Sequence, residues 1–287
     1  RNVAVGHSTM YNLSTASDNT AVGYNAGVLV TTGVENTLIG AASGDALTTA
    51  SYNTLIGSIA GSALTTGGEN VAVGRAALFA GTTGTQNVAI GTTSLATNTT
   101  GQFNVAVGYQ ALQLNVDGDG AVAIGYQALK TLEPADGQTY NTAVGYLAGA
   151  GVTTGVQNTL IGALAGDAIT TAESNTAVGY LALSDTTTGG DNTAVGELAL
   201  TNNTTGVRNV ALGASALFTK TTGNDNTAIG TNALYANTTA SNNTAVGFNA
   251  GTAVTTGTGH TLVGANAGDS LTTGNDNVAI GKDALSA

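Results

Sequence analysis

The chain has 287 residues, only 8% of them charged, and 6 Lys and Arg set against 17 Asp and Glu give a net charge of −11. That balance excludes an electrostatic clamp on nucleic acid and docking on anionic membranes, because both need clustered cations. The absence of Cys removes disulfide frameworks and thiolate metal sites, and no apolar run reaches transmembrane length, so no membrane insertion is expected of this segment.

The 42% of hydrophobic residues recur in register, which argues against disorder. A phrase of the form Asn-Thr/Val-Ala/Leu-Val/Ile-Gly begins at residues 2, 19, 36, 53, 70, 87, 104, 121, 141, 158, 175, 192, 209, 226, 243, 260 and 277. Fifteen of the sixteen intervals are 17 residues, and the one from 121 to 141 is 20. A fixed short period means stacked copies of one small unit, each touching mainly its neighbours.

Each coil is numbered here from its Asn. Position 1 is Asn in fifteen copies, replaced by Ala121 and His260. Stacked amides such as Asn19, Asn104, Asn141 and Asn243 are expected to bond to one another or to turn backbone at a corner, as in other stacked-strand structures. Positions 2 to 4 are strand-forming residues, with Thr or Val at position 2, Ala or Leu at position 3, and Val, Ile or one Leu at position 4. Alternation puts positions 2 and 4 on one face and position 3 on the other. Both faces are apolar, so one fills the coil and the other is expected to form a subunit interface. Position 5 is always Gly, as at Gly23, Gly108, Gly145 and Gly247, which marks a turn needing positive φ or close backbone approach.

Further along the coil, positions 9 and 12 exchange one large side chain. Where position 9 is Gly (27, 44, 61, 149, 166, 251, 268), position 12 is Val, Leu or Ile. Where position 9 is Leu, as at Leu78 or Leu200, position 12 is Gly81, Asn98, Asn115, Thr186, Asn203, Lys220 or Asn237, and only the first coil and the coil at 121 depart from the rule. The reading is one core hole per coil, filled from either side of a loop. Positions 13 to 15 read Thr-Thr-Gly or Thr-Thr-Ala in thirteen coils, which predicts a second short extended segment with one Thr facing in and one out. Two strands and two turns per period describe an all-β fold, a flattened parallel β-solenoid. At about 4.8 Å per coil it forms a rod about 75–80 Å long. One domain over residues 1–287 is expected, and the chain reads as an excerpt of a longer fibre protein.

The phrases Asn141-Thr-Ala-Val-Gly-Tyr-Leu-Ala and Asn104-Val-Ala-Val-Gly-Tyr-Gln-Ala-Leu resemble repeats of the tail-fibre-domain proteins of bacteria and phages. They are also similar to the Asn-Ser-Val-Ala-Ile-Gly repeat in the heads of YadA-type trimeric autotransporter adhesins. The resemblance implies a left-handed β-roll, a homotrimer, and a location outside the cell, on a cell surface or a virion. This coil is longer than the adhesin's and its strand phrase is one residue shorter.

For chemistry the sequence offers little. His7 and His260 lie fifteen coils apart, and no Ser-His-Asp grouping has local spacing, so no enzyme and no cofactor are expected. Acidic residues at position 17 form a broken column, and Asp117 with Asp119 is the best remaining candidate for calcium. The repeated Thr suggest an ice-binding face. Against it, the Thr-Thr pair is expected to split between faces and the position-2 Val to look inward. The irregular stretch from Lys130 to Gln138 holds the sole proline, Pro134, and near it lie Phe103, Tyr109, Tyr126, Tyr140 and Tyr146. These aromatics form the candidate patch for a cell-surface glycan or receptor. The function expected is a structural, adhesive fibre segment, a phage tail fibre or bacterial adhesin shaft. The alternative is a self-assembling extracellular filament or sheath.

Overall fold

A computed structural model describes residues 1–133 and 137–286. Pro134, within the inserted stretch, lies outside the described residues. The chain forms a parallel β-solenoid that follows the 17-residue period, in two compact units, residues 1–141 and 142–287. The first carries eight three-residue strands, from β1 (Val3–Val5) to β8 (Val122–Ile124), and the second carries nine, from β9 (Thr142–Val144) to β17 (Val278–Ile280). Within each unit every strand pairs in parallel with the next at a shift of one coil, as in Thr37↔Thr54 and Thr176↔Thr193. No helix is present among the described residues.

Position 3 is the inward position of the strand. From Ala21 to Ala279 its Ala or Leu is buried, whereas positions 2 and 4 look outward and stay half-buried or exposed. Small Ala suffices at position 3 because the opposite wall of the coil is close. Ala26, Ala77 and Ala199 at position 8 are fully buried too. The expectation that position-2 Val looks inward is therefore corrected: Val71, Val88 and Val210 stand on the outward face.

The second predicted strand is absent among the described residues. The Thr-Thr segment is a bend in which the first Thr is half-buried, the second exposed, and the following Gly or Ala turned inward. What holds it is a hydrogen-bond rack along the stack. Thr65 donates its Oγ1 to the carbonyl of Thr82 at 3.0 Å, and Thr204 donates to Thr221 at 2.8 Å. Backbone N–H groups reach the same carbonyls. Thr satisfies the bend through its hydroxyl where a strand would have used a ladder.

Gly at position 5 is required twice over. Its φ runs from +123° to +146°, a region that side chains rarely enter, and a Cβ at Gly91 would lie 2.5 Å from the Gly108 carbonyl of the next coil. Position 9 is left-handed in every type of coil, with φ +56° at Gly44 and +52° at Leu200. Leu in that conformation costs of the order of 1–2 kcal/mol, offset by filling the core. Gly appears where the space is already taken. A Cβ at Gly44 would collide with Leu47 and come within 2.9 Å of Leu55 Cδ1, and one at Gly166 would lie 2.8 Å from both Leu160 and Ile169. The Leu–Gly exchange is thus a single core volume with two ways of filling it.

Candidate functional site

The Asn column sits at the corner before the strand, fully buried or nearly so at Asn19, Asn104, Asn141 and Asn243. Each amide serves three coils. Asn209 donates its backbone N–H to Asn192 Oδ1 at 3.0 Å and its Nδ2 both to that oxygen at 3.1 Å and to the Gly223 carbonyl at 3.1 Å. Where Ala121 interrupts the column, its N–H still bonds to Asn104 Oδ1 at 2.9 Å. His260 substitutes its ring, Nδ1 accepting from the Asn277 N–H at 3.3 Å. Burial pushes this imidazole below its ordinary pKa, against the pull of the Gly274 carbonyl and Asp276. His260 is a corner residue, and His7 stacks on Tyr24 with ring centroids 5.5 Å apart.

The aromatic candidates divide between the units. Phe103, Tyr109, Tyr126 and Tyr140 belong to the first and Tyr146 to the second, and all five are exposed. Tyr109 and Tyr126, at position 6 of consecutive coils, stack with centroids 5.4 Å apart and planes 17° from parallel. Tyr140 donates its hydroxyl to Gln138 Oε1 at 2.9 Å, and its ring lies over Gly120, where a Cβ would meet Cδ1 at 3.5 Å. The stacked pair covers its own facing ring surfaces, so what it offers a ligand is mainly ring edges and phenolic oxygens. Phe218 and Tyr235, at position 10 of consecutive coils, stack in the same way at 5.2 Å, so stacking at coil spacing is not particular to the candidate patch.

Of the calcium candidates Asp117 and Asp119, the second is engaged by backbone, and so is the nearby Glu133. Asp119 Oδ1 accepts the Gln102 N–H at 2.7 Å, and Glu133 Oε2 accepts the Val116 N–H at 2.8 Å. Burial pushes the Glu133 carboxyl up, with the nearby Asp117 charge adding to it. Among the described residues no group of three or more His, Asp or Glu could hold a metal, and no pocket is enclosed. Thr139 donates both its N–H and its Oγ1 to the Asp119 carbonyl, at 3.1 and 2.8 Å.

The most extensive feature is the outward strand face, two rows in which Thr or Val at position 2 stands beside Val, Ile or Leu at position 4. Ile39, Ile90 and Ile161 remain 38–39% exposed, so a band of methyl groups and threonine hydroxyls recurs at every coil of each unit.

Sequence reasoning missed the interior polar column at position 12. Asn98, Asn115, Thr186, Asn203, Lys220 and Asn237 are all fully buried. Asn115 and Asn203 donate to the carbonyl three residues on, Gly118 at 2.9 Å and Gly206 at 3.0 Å. A Cβ at Gly206 would collide with the Asn203 amide, but Gly at position 15 also occurs in coils with an apolar position 12, so the sequence held no clear signal of the column.

No protein-family model matches the chain, and no curated protein matches it.

Proposed function

We propose that this chain is a structural and adhesive fibre segment, a homotrimeric β-roll shaft or head of a phage tail fibre or bacterial surface adhesin, acting outside the cell and carrying out no catalysis. The outward strand face is the observation that carries this reading. Its rows of half-exposed Val and Ile run through every coil of both units, and a repeating apolar band of that length is an association surface. A second copy of the chain matches it because it has the same coil spacing. Adhesion then comes from reach and from repeated weak contacts of the surfaces left outside, the aromatic stretch among them.

Solution mass together with particle imaging tests the proposal. A trimer of finite length is expected, and Ile90→Lys with Ile161→Lys should convert it to monomer. Open-ended fibres would favour the filament alternative. A stable monomer would overturn the interface and turn attention to ice binding, which the outward direction of the position-2 threonines favours. Thermal hysteresis indistinguishable from zero would then remove that reading too.

A further inference from the structure

Lys220 has no role in the fibre reading. It stands at position 12 of coil 209–225, fully buried, where other coils carry Val, Leu, Asn or Thr. Its Nζ makes one hydrogen bond, to the Ala240 carbonyl of the next coil at 3.2 Å. An ammonium has three protons to place. The Ala240 carbonyl also accepts Asn226 Nδ2 at 3.0 Å, so Lys220 shares an acceptor belonging to the corner ladder. By the pattern of Asn115 and Asn203, that carbonyl is also the one Asn237 would use. Asn237 is instead left with both amide atoms buried and unpaired.

The space around Nζ is closed, since a Cβ on Gly223 would collide with it. The buried side chains of its own and the adjoining coils are otherwise uncharged, Asn203, Asn237, Asn226, Leu217 and Leu234 among them. The charged or titratable side chains of its own coil and the two adjoining ones are Glu197, Arg208, Asp225 and Tyr235, all exposed, and Arg208 and Asp225 pair with each other at 2.7 Å.

We propose that Lys220 is an acid-sensitive weak point built into the second unit, its protonation loosening the junction between coils 209–225 and 226–242. Neutral, the amine needs little beyond its one acceptor. Charged, it is an uncompensated cation between two coils, and opening the junction to water relieves it.

Burial lowers its pKa from 10.5 to about 7, with no charged neighbour contributing. The open junction, with a solvated lysine, binds the proton more readily than the closed one between those two values. Opening therefore grows as pH falls from about 10 to about 7 and levels off below.

Hydrogen exchange of the intact chain, corrected for intrinsic rates, reads this directly. The reporting amides are Leu217 and Thr221, which bond across the junction to the Ala233 and Thr238 carbonyls at 3.0 and 2.9 Å. The ratio of proton-binding polynomials for 10.5 and about 7 predicts about 25-fold more opening at pH 6.5 than at pH 8.5. Thr65, which bonds to the Thr82 carbonyl at 3.0 Å in the first unit, should show no such change. In Lys220→Met the change at Leu217 and Thr221 should vanish while protection at pH 6.5 rises. Equal pH dependence in Lys220→Met and the parent chain, or the same dependence at Thr65, would overturn the proposal.

Discussion

Coils 19–69 and coils 192–242 share one backbone and fill it in opposite ways. In the first stretch position 9 is Gly27, Gly44 or Gly61, and the interior is closed by Val30, Leu47 and Leu64 with Leu38 and Leu55 from the strand. In the second, Leu200, Leu217 and Leu234 occupy a left-handed backbone, and position 12 becomes Asn203, Lys220 and Asn237, still fully buried. The first arrangement avoids strain at position 9 and places an apolar side chain at position 12. The second accepts backbone strain and a buried polar column that is incompletely satisfied. A repeat can thus hold its shape while the kind of energy that holds it changes from coil to coil.

The sharpest way to break that contrast is to force one filling into the other. Gly44→Leu should destabilise the first unit by more than about 3 kcal/mol in urea unfolding, because Leu47 and Leu55 already hold the space. Adding Leu47→Asn and Leu55→Ala should recover most of the loss. If it does not, the two fillings are not interchangeable.

Lys220→Met removes the costliest part of the second arrangement. The lysine binds more protons unfolded than folded between about pH 7 and 10.5, so stability of the second unit should rise with pH across that window. Thermal or urea unfolding of Lys220→Met should show a gain of as much as roughly 4 kcal/mol at pH 6, shrinking towards zero near pH 10. The opposite slope would contradict the lysine's assignment.

The corner ladder, by contrast, is common to both stretches. Asn53→Ala leaves the Gly67 carbonyl and the Asn70 N–H without their partner, Asn209→Ala does the same to the Gly223 carbonyl and the Asn226 N–H, and the two should cost similar amounts, about 2–4 kcal/mol each, in the same unfolding assay. Unequal losses would show that the interior filling feeds back on the corner. The smallest expected effect is Tyr126→Ala, within about 0.5 kcal/mol, since the ring is exposed. A loss of surface attachment in Tyr109→Ala/Tyr126→Ala at unchanged stability would assign the aromatic row a binding role.

Period and composition were enough to read the strand, the Gly that ends it, the Asn corner and the exchange between positions 9 and 12. Each of these is a column in which chemistry repeats. Which strand face turns inward was not legible, because Ala at position 3 and Val at position 2 are both apolar and only the narrow coil selects the smaller. The Thr-Thr segment misled because Thr favours strands and bends for different reasons, and here its hydroxyl decides. Lys220 and the buried asparagines were hidden because a polar residue beside a turn reads as surface. For the aromatic stretch, the sequence could list the rings but could not show that Tyr109 and Tyr126 cover each other.

Most of the side chains that tie one coil to the next join like positions. Asn36 bonds to Asn19, Thr48 to the Thr65 carbonyl, and Arg208 to Asp225, each 17 residues away. The Asn and Thr linkages are indifferent to how many coils precede or follow. Adding or deleting a whole 17-residue block would rejoin each Asn and Thr of the ladders to an equivalent acceptor, and even the 20-residue interval from 121 returns to the column at Asn141, whose carbonyl accepts the Val122 N–H at 2.9 Å. Each unit is graduated in single coils, and its ladders survive a change of copy number as long as the fillings of neighbouring coils match.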